Sequence, residues 1–233
     1  MKLNTMTNRV HFDILPSTQD YAKEKRAEGR SLVVTAAEQS GGKGTKGRNF
    51  SSASGGVYLS KLSFYEDFLA KDAFLIMARA AVAVCKTLQA YGLKPLIKWP
   101  NDVWINDKKI CGILIENVFS GNQIVSSVVG IGVNVYNVLP DELHPIATTM
   151  LEATGQRYEV EEVTSRLIAE LDKPYGMEEY RSYIGYLGKC ATLILGDECV
   201  HGTLISVDDE GGLMVEIDGL RRRLTAAEVS VRI

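Results

Sequence analysis

The chain is decided by residues 98–116, which read Lys98-Trp99-Pro100-Asn101-Asp102-Val103-Trp104-Ile105-Asn106-Asp107-Lys108-Lys109-Ile110-Cys111-Gly112-Ile113-Leu114-Ile115-Glu116. Pro100-Asn101-Asp102 has turn chemistry, and Asn106-Asp107 separates two runs rich in β-branched and aromatic residues. The stretch therefore predicts strand, turn and antiparallel hairpin, with Trp99 in the core and Lys108-Lys109 at the exposed hairpin end.

Working outward, residues 95–99 and 124–135 are β-rich, the latter following the turn Ser120-Gly121-Asn122. Upstream, Phe74, Met77, Ala81, Val84, Leu88 and Tyr91 recur at three- and four-residue spacing and stop at Gly92, which predicts a helix over 72–91. Ser17-Thr18-Gln19-Asp20 has the form of a capping box, so a short helix runs from there to Gly29. Residues 32–37 and 57–64 read as strands, separated by a long glycine- and serine-rich loop over 39–56. Helical patterns over 160–171 and 177–186 would cover the sheet on one side. Past residue 187, turn signals at Gly196-Asp197, 208–212 and Asp218-Gly219 mark about five short strands, which suggests a small SH3-like barrel. The expected fold is α+β. A mixed, largely antiparallel sheet packed with helices occupies 1–186, and a small β-barrel occupies 187–233.

A chain of 233 residues with 45% hydrophobic and 24% charged residues has room for a real core and is neither disordered nor collagen-like. The apolar run 73–77 is cut off by Arg79, far short of the ~18 to 20 residues of a membrane helix. The first 15 residues lack the basic and apolar regions of a secretory signal, so a cytoplasmic location is expected. Cys85, Cys111, Cys190 and Cys199 form no C-x-x-C pair, and with three histidines in the chain no protein-built metal site is expected. The net charge of -3 argues against a general nucleic-acid binder, and the last 47 residues, with 5 basic and 8 acidic side chains, are the acidic part.

Gly42-x-Gly44-x-x-Gly47 matches the dinucleotide fingerprint by letter, but residues 48–56 have no helical period, so no helix follows to hold a pyrophosphate. A P-loop is excluded because Arg48-Asn49 stands where Lys and Ser/Thr are needed. What remains is a glycine loop carrying Lys43, Lys46 and Arg48, suited to an anionic ligand through freed amides and cations. A mobile surface loop with solvated lysines is the alternative reading.

Taken together, residues 98–102 and 109–116 resemble the signature of biotin protein ligases, with a lysine three residues before the glycine of a G-I-L strand. The resemblance extends from about Phe12 to Ile233. It takes in Ser17-Thr18, Gln39, the glycine loop, Gly130-Ile131-Gly132-Val133-Asn134 and the β-rich tail. The family loop usually reads G-R-G-R-x-G-R-x-W, so Lys43, Thr45 and Phe50 are departures. The resemblance implies a class II synthetase-like catalytic domain and an enzyme that takes ATP, with Mg²⁺, and biotin. Lys109 would hold the biotin carboxylate and then the acyl-phosphate oxygens. Ser17, Thr18, Gln19, Gln39 and Gly112 would lie at biotin, with Gly42, Lys43, Gly44 and Thr45 of the loop closing over it. Gly47, Arg48, Lys98, Trp99, Asn101 and Asn134 would face ATP or the adenylate, with Arg48 on the phosphates. The partner implied is the biotin carboxyl carrier protein domain of a biotin-dependent carboxylase, and the resemblance allows a homodimer. Some family members carry a DNA-binding winged helix before the catalytic domain. Here the resemblance begins within the first dozen residues, so a monofunctional ligase without a DNA partner is expected.

The chemistry explains the residue types. A carboxylate attacking an α-phosphate brings two anions together, which needs cations such as Lys109, Arg48 and Lys43. The mixed anhydride formed is water-sensitive, so a loop with glycine hinges that excludes water serves the second step. The acceptor amine, with an ordinary pKa of ~10.4, needs a proton acceptor, for which Asp102 is the candidate; its alternative role is to fix the turn at Asn101. Two rival functions stand beside biotin ligation. One is a lipoate or octanoate ligase or transferase; the other is a non-catalytic binding module using Arg221-Arg222-Arg223.

Overall fold

The computed structural model describes residues 8–226 and 229–232. Strands β1 (Asn8–Leu15), β2 (Leu32–Gln39), β3 (Gly56–Leu69), β4 (Leu96–Lys98), β5 (Asp102–Ile105), β6 (Lys108–Ser120) and β7 (Gln123–Asn134) form one sheet in the order β1-β2-β3-β7-β6-β5-β4. Only β1 and β2 run parallel, joined through helix α1 (Thr18–Glu24); every other neighbouring pair in this sheet is antiparallel. The mixed, largely antiparallel sheet is thus as expected, but β1 was not. Its residues alternate, with Val10 and Phe12 packed against the smaller core, but all of them stay exposed or half-buried, so the pattern alone did not mark it as a sheet strand.

Local chemistry sets the element ends. Ser17 caps α1 by accepting from the Asp20 amide at 3.3 Å, and Gly29, at φ 67°, takes the left-handed conformation just past the short 3-10 turn that follows. Asn106 and Asp107 both have positive φ, the requirement of a tight turn between β5 and β6. Helix α2 (Ala73–Gln89) buries Ala78, Ala80, Ala81 and Ala83, small residues that let it lie close to its neighbours, while fully buried Leu88 contributes roughly 1.5 to 3 kcal/mol. Helices α3 (Met150–Thr154), α4 (Val160–Leu171) and α5 (Met177–Ser182) follow, and α2, α4 and α5 share one core with one face of the sheet. A smaller core of Ala22, Leu32, Val34, Leu62 and Val128 holds α1 on the other face.

The C-terminal strands β8 (Cys190–Leu195), β9 (Glu198–Val207), β10 (Leu213–Ile217), β11 (Leu220–Leu224) and β12 (Val229–Arg232) form a second, antiparallel sheet, ordered β11-β10-β9-β8-β12, that fits an SH3-like unit. It is held against the rest of the chain by Trp99, just past β4, whose Nε1 donates to Gly211 O at 3.0 Å, and by Arg181 of α5, whose Nε donates to Val207 O at 2.5 Å.

Candidate active site

On the α1 side, the sheet register lines up Tyr58, Gly132, Gly112 and Asp102 across four strands, with Ser60, Gly130 and Leu114 in the next row. Glycines at 112, 130 and 132 lower the floor. A Cβ on Gly132 would lie 2.4 Å from Phe50 Cε1, and one on Gly130 would lie 2.5 Å from Gln19 Oε1. The open cleft above them is lined by α1, the glycine loop, β3, β6 and β7.

Lys109 reaches this cleft through an irregularity in β6. Val103 pairs with Cys111, yet the next residue, Trp104, pairs with Lys109, which leaves Ile110 as an extra residue. Ile110 and Cys111 both point into the main core, fully buried, so Lys109 returns to the face of Gly112. Its Cε and Nζ lie 3.2 Å from the place a Cβ on Gly112 would take, and Nζ pairs with Asp102 Oδ1 at 2.7 Å. Residues 146–148 hold its backbone, Lys109 N donating to Ile146 O and Thr148 N to Lys109 O, each at 2.9 Å. Lys108 points elsewhere, donating to His144 O at 2.8 Å. Burial pushes the Cys111 thiol up, so no reactive thiolate stands beside Lys109.

The other end of the cleft is polar. Gln39 Oε1 accepts from Thr18 N at 2.8 Å and from Thr18 Oγ1 at 3.1 Å, while Gln39 Nε2 donates to Ser52 Oγ at 3.0 Å. Thr18 Oγ1 meets Ser60 Oγ at 2.9 Å, and Ser60 donates to Gln19 Oε1 at 3.2 Å. The glycine loop is fastened over this end by Lys43 Nζ, 2.6 Å from Asp20 Oδ2. The cleft therefore joins a polar pocket to a lysine–carboxylate pair along a glycine floor walled by Phe50. That shape suits an elongated ligand with a polar head and a carboxylate tail.

Comparison with known proteins decides the family. The profile described as "Biotin/lipoate A/B protein ligase family" matches residues 11–134, more than half of the chain. The chain belongs to this family. It is 31% identical to the bifunctional ligase/repressor BirA of Bacillus subtilis, over 95% of this chain and 73% of that protein. It is 30% identical to the biotin--[acetyl-CoA-carboxylase] ligase of Paracoccus denitrificans, over 85% of this chain and 90% of that one. The biotin protein ligase of Aquifex aeolicus, solved with biotin and ATP, superposes with a TM-score of 0.76 at 27% identity, covering 97% and 98% of the two chains.

Of the residues singled out in the sequence, the ligase brings Ser17, Thr18, Gln19, Gln39, Lys43, Gly44, Thr45, Asn101, Lys109 and Gly112 to the cleft. Asp102 joins them through Lys109. The remaining ones do not line it. Gly42 is packed under Phe50 O and Ser52 Oγ, each 2.4 Å from where its Cβ would be. Arg48 folds back within the loop onto Thr45 Oγ1 at 3.2 Å, and Gly47 supplies the positive φ beside it. Trp99 is core, 4% exposed, and Lys98 Nζ sits 4.2 Å from the centre of the Trp104 ring. Asn134 clasps the chain after β7, its amide donating to Thr148 O at 3.1 Å. The side chain of Lys46 lies outside the described residues. Ser60, Leu59, Gly130 and Gly132 line the cleft without having been singled out as site residues. The two glycines were legible, since a Gly-x-Gly on a strand clears one face at two successive positions.

Proposed function

We propose that the cleft binds biotin with its ring among Thr18, Gln39 and Ser60, its alkyl chain along the Gly112 and Gly132 floor against Phe50, and its carboxylate at Lys109. The protein is an ATP-dependent biotin ligase. The biotin carboxylate oxygen attacks the α-phosphorus of ATP, the bond to pyrophosphate breaks, and biotinoyl-5′-AMP forms. The amine of a carrier-domain lysine then attacks the acyl carbon, the bond to AMP breaks, and an amide remains. Mg²⁺ would travel with the ATP phosphates, for among the described residues no three His, Cys, Asp or Glu side chains converge on a common point.

The observation that carries this reading is the bulge that turns Lys109 into the cleft beside Asp102. A cation at the carboxylate lowers the repulsion between two anions on approach. Asp102 orients that cation through Oδ1, and its second oxygen is our candidate to take the proton from the acceptor lysine. The loop over 42–48 excludes water from the mixed anhydride, its Lys43–Asp20 pair serving as the latch. We take residues 1–186 as the catalytic domain and 187–233 as a docked β domain. The acceptor is the biotin carboxyl carrier domain of a carboxylase, in keeping with the Paracoccus relative's name. Among the described residues no helix is long and apolar enough to cross a membrane.

The test is transfer. The protein with ATP, biotin and a carrier domain should add one biotin to one carrier lysine, detected by mass, and a carrier whose lysine is replaced by arginine should stay unmodified. Labelling that persists on the arginine variant, or no labelling of the intact carrier, would overturn the reading.

A further inference from the structure

Strand β4 is the edge of the larger sheet, and the turn that follows it, residues 99–101, leads Asn101 and Asp102 into the site. That turn is bonded on two sides. Toward the cleft floor, the Asn101 carbonyl accepts from Ile113 N at 3.0 Å and Asn101 Nδ2 donates to Ile113 O at 2.8 Å. On the other side, the free edge of β4 is closed by α5 and the residues after it. Ile97 N donates to Tyr183 O at 2.9 Å, Trp99 N donates to the Tyr186 hydroxyl at 2.8 Å, and that hydroxyl donates in turn to Ile97 O. Tyr180 Oη donates to Pro100 O at 2.8 Å. Both tyrosines are buried, and burial pushes both hydroxyls up, so they remain neutral donors. The Tyr180 ring is itself fixed edge to face on Phe74, with ring centres 5.3 Å apart.

We infer that Tyr180 and Tyr186 are positioning residues, whose hydroxyls fix the 99–101 turn so that Asp102 is aimed at Lys109 and at the acceptor amine. The inference rests on the reading of Asp102 given above and deepens it. Neither phenol lines the cleft, so both act through the backbone. The Pro100 carbonyl belongs to the planar peptide unit that leads into Asn101, so the Tyr180 bond sets the plane from which Asn101 and then Asp102 depart. Tyr186 ties the start of the same turn to β4 by holding Trp99 N and Ile97 O on one oxygen. Without these hydroxyls a buried N–H and two buried carbonyls lose a partner, and the turn shifts to find others. The Lys109–Asp102 contact of 2.7 Å leaves little room for such a shift, since about 1 Å of misplacement can lower a rate about a hundredfold.

Tyr180→Phe and Tyr186→Phe test this, for each keeps the ring and deletes one hydroxyl. Transfer from preformed biotinoyl-adenylate to a carrier domain is timed in single turnovers at several carrier concentrations, for the parent, Y180F, Y186F, Asp102→Asn, and each Phe change combined with D102N. The expected result is a maximal rate about tenfold lower in each Phe variant, with the half-saturating carrier concentration within about twofold of the parent's. On the D102N background the same Phe change should cost less than about twofold, because the residue it acts through is already gone. A change that only loosened the core would cost the same factor on both backgrounds. That outcome, or parent-like rates in the Phe variants, would overturn the inference. If one Phe variant does not fold, the other decides, since the two hydroxyls hold different peptide groups. A D102N protein that transfers at the parent's rate would instead overturn the assignment of Asp102.

Discussion

Lys109 Nζ and Asp102 Oδ1 stand 2.7 Å apart on the floor of the cleft, and the contact exists because one extra residue, Ile110, interrupts the pairing of β5 and β6. Strict alternation would put Lys109 on the face of Cys111 and Ile113, inside the core. The bulge exchanges that placement for a cation about one-third exposed beside a carboxylate.

Replacing Lys109 by Ala should lower the rate of adenylate formation by about a hundredfold or more, the usual loss when a positioned charge is removed from a developing anion. Lys108 cannot substitute, because its amine is committed to His144 O. Single-turnover measurement of biotinoyl-adenylate in K109A and K108A separates the two lysines. Parent-like rates in K109A would reduce Lys109 to a hairpin residue.

Gly132 makes room for Phe50. A methyl at 132 would stand 2.4 Å from the Phe50 ring, so Gly132→Ala should cost about 1 to 3 kcal/mol by overpacking unless the ring withdraws. Urea denaturation of G132A, Phe50→Ala and the double variant forms the check. The double variant should recover part of the G132A loss, and strictly additive losses would mean that the ring and the floor do not meet.

The Lys109 bulge also marks how far the sequence could be read. Helix α2, the β5–β6 hairpin and the C-terminal strands were legible because apolar spacing and turn residues act locally. Strand β1 was not, although Val10 and Phe12 alternate toward the smaller core, because its place at the sheet edge comes from parallel pairing with β2 across a helix, a long-range relation that a local pattern does not encode. At the site, Ser17, Thr18, Gln39 and Lys109 were found by resemblance and chemistry. Trp99 was read as core and, by resemblance, as facing the adenylate; the structure buries it and gives its indole to Gly211, a long-range pairing that no local pattern encodes. Gln19 was singled out only as a ligand neighbour; its bond to Glu116, 97 positions away, became visible only once the strands were in register.

Asp20 links pH to the loop. Burial raises its pKa, but hydrogen bonds from Lys43 and Lys23 outweigh this and hold the carboxyl below its ordinary value. A depressed carboxylate contributes stability that is present above its unfolded pKa, about 4, and is lost as pH falls through the folded value. The stability gap between the parent and Asp20→Asn should therefore be largest at neutral pH and close below about pH 4. Denaturation curves at several pH values measure it, and a gap independent of pH would mean that the latch does no electrostatic work.

Thr45 lines the cleft and receives Arg48 Nη2 at 3.2 Å, so the loop arginine is turned onto its own loop. Thr45→Arg places a guanidinium in the cleft lining and releases Arg48 from that anchor, offering planar contacts to an adenylate. Dissociation of preformed biotinoyl-adenylate should slow by about tenfold for each 1.4 kcal/mol gained. Equal off-rates would show that neither guanidinium touches the ligand when the loop is closed.

The central claim is that this cleft activates biotin and not another acid of similar length. Pyrophosphate release is measured with purified protein and ATP in the presence of biotin, lipoate or octanoate, and without added acid. Release that depends on biotin, is weak or absent with the other two, and is lost in K109A is the predicted result. Release driven equally well by lipoate or octanoate, or none with biotin, would contradict the account.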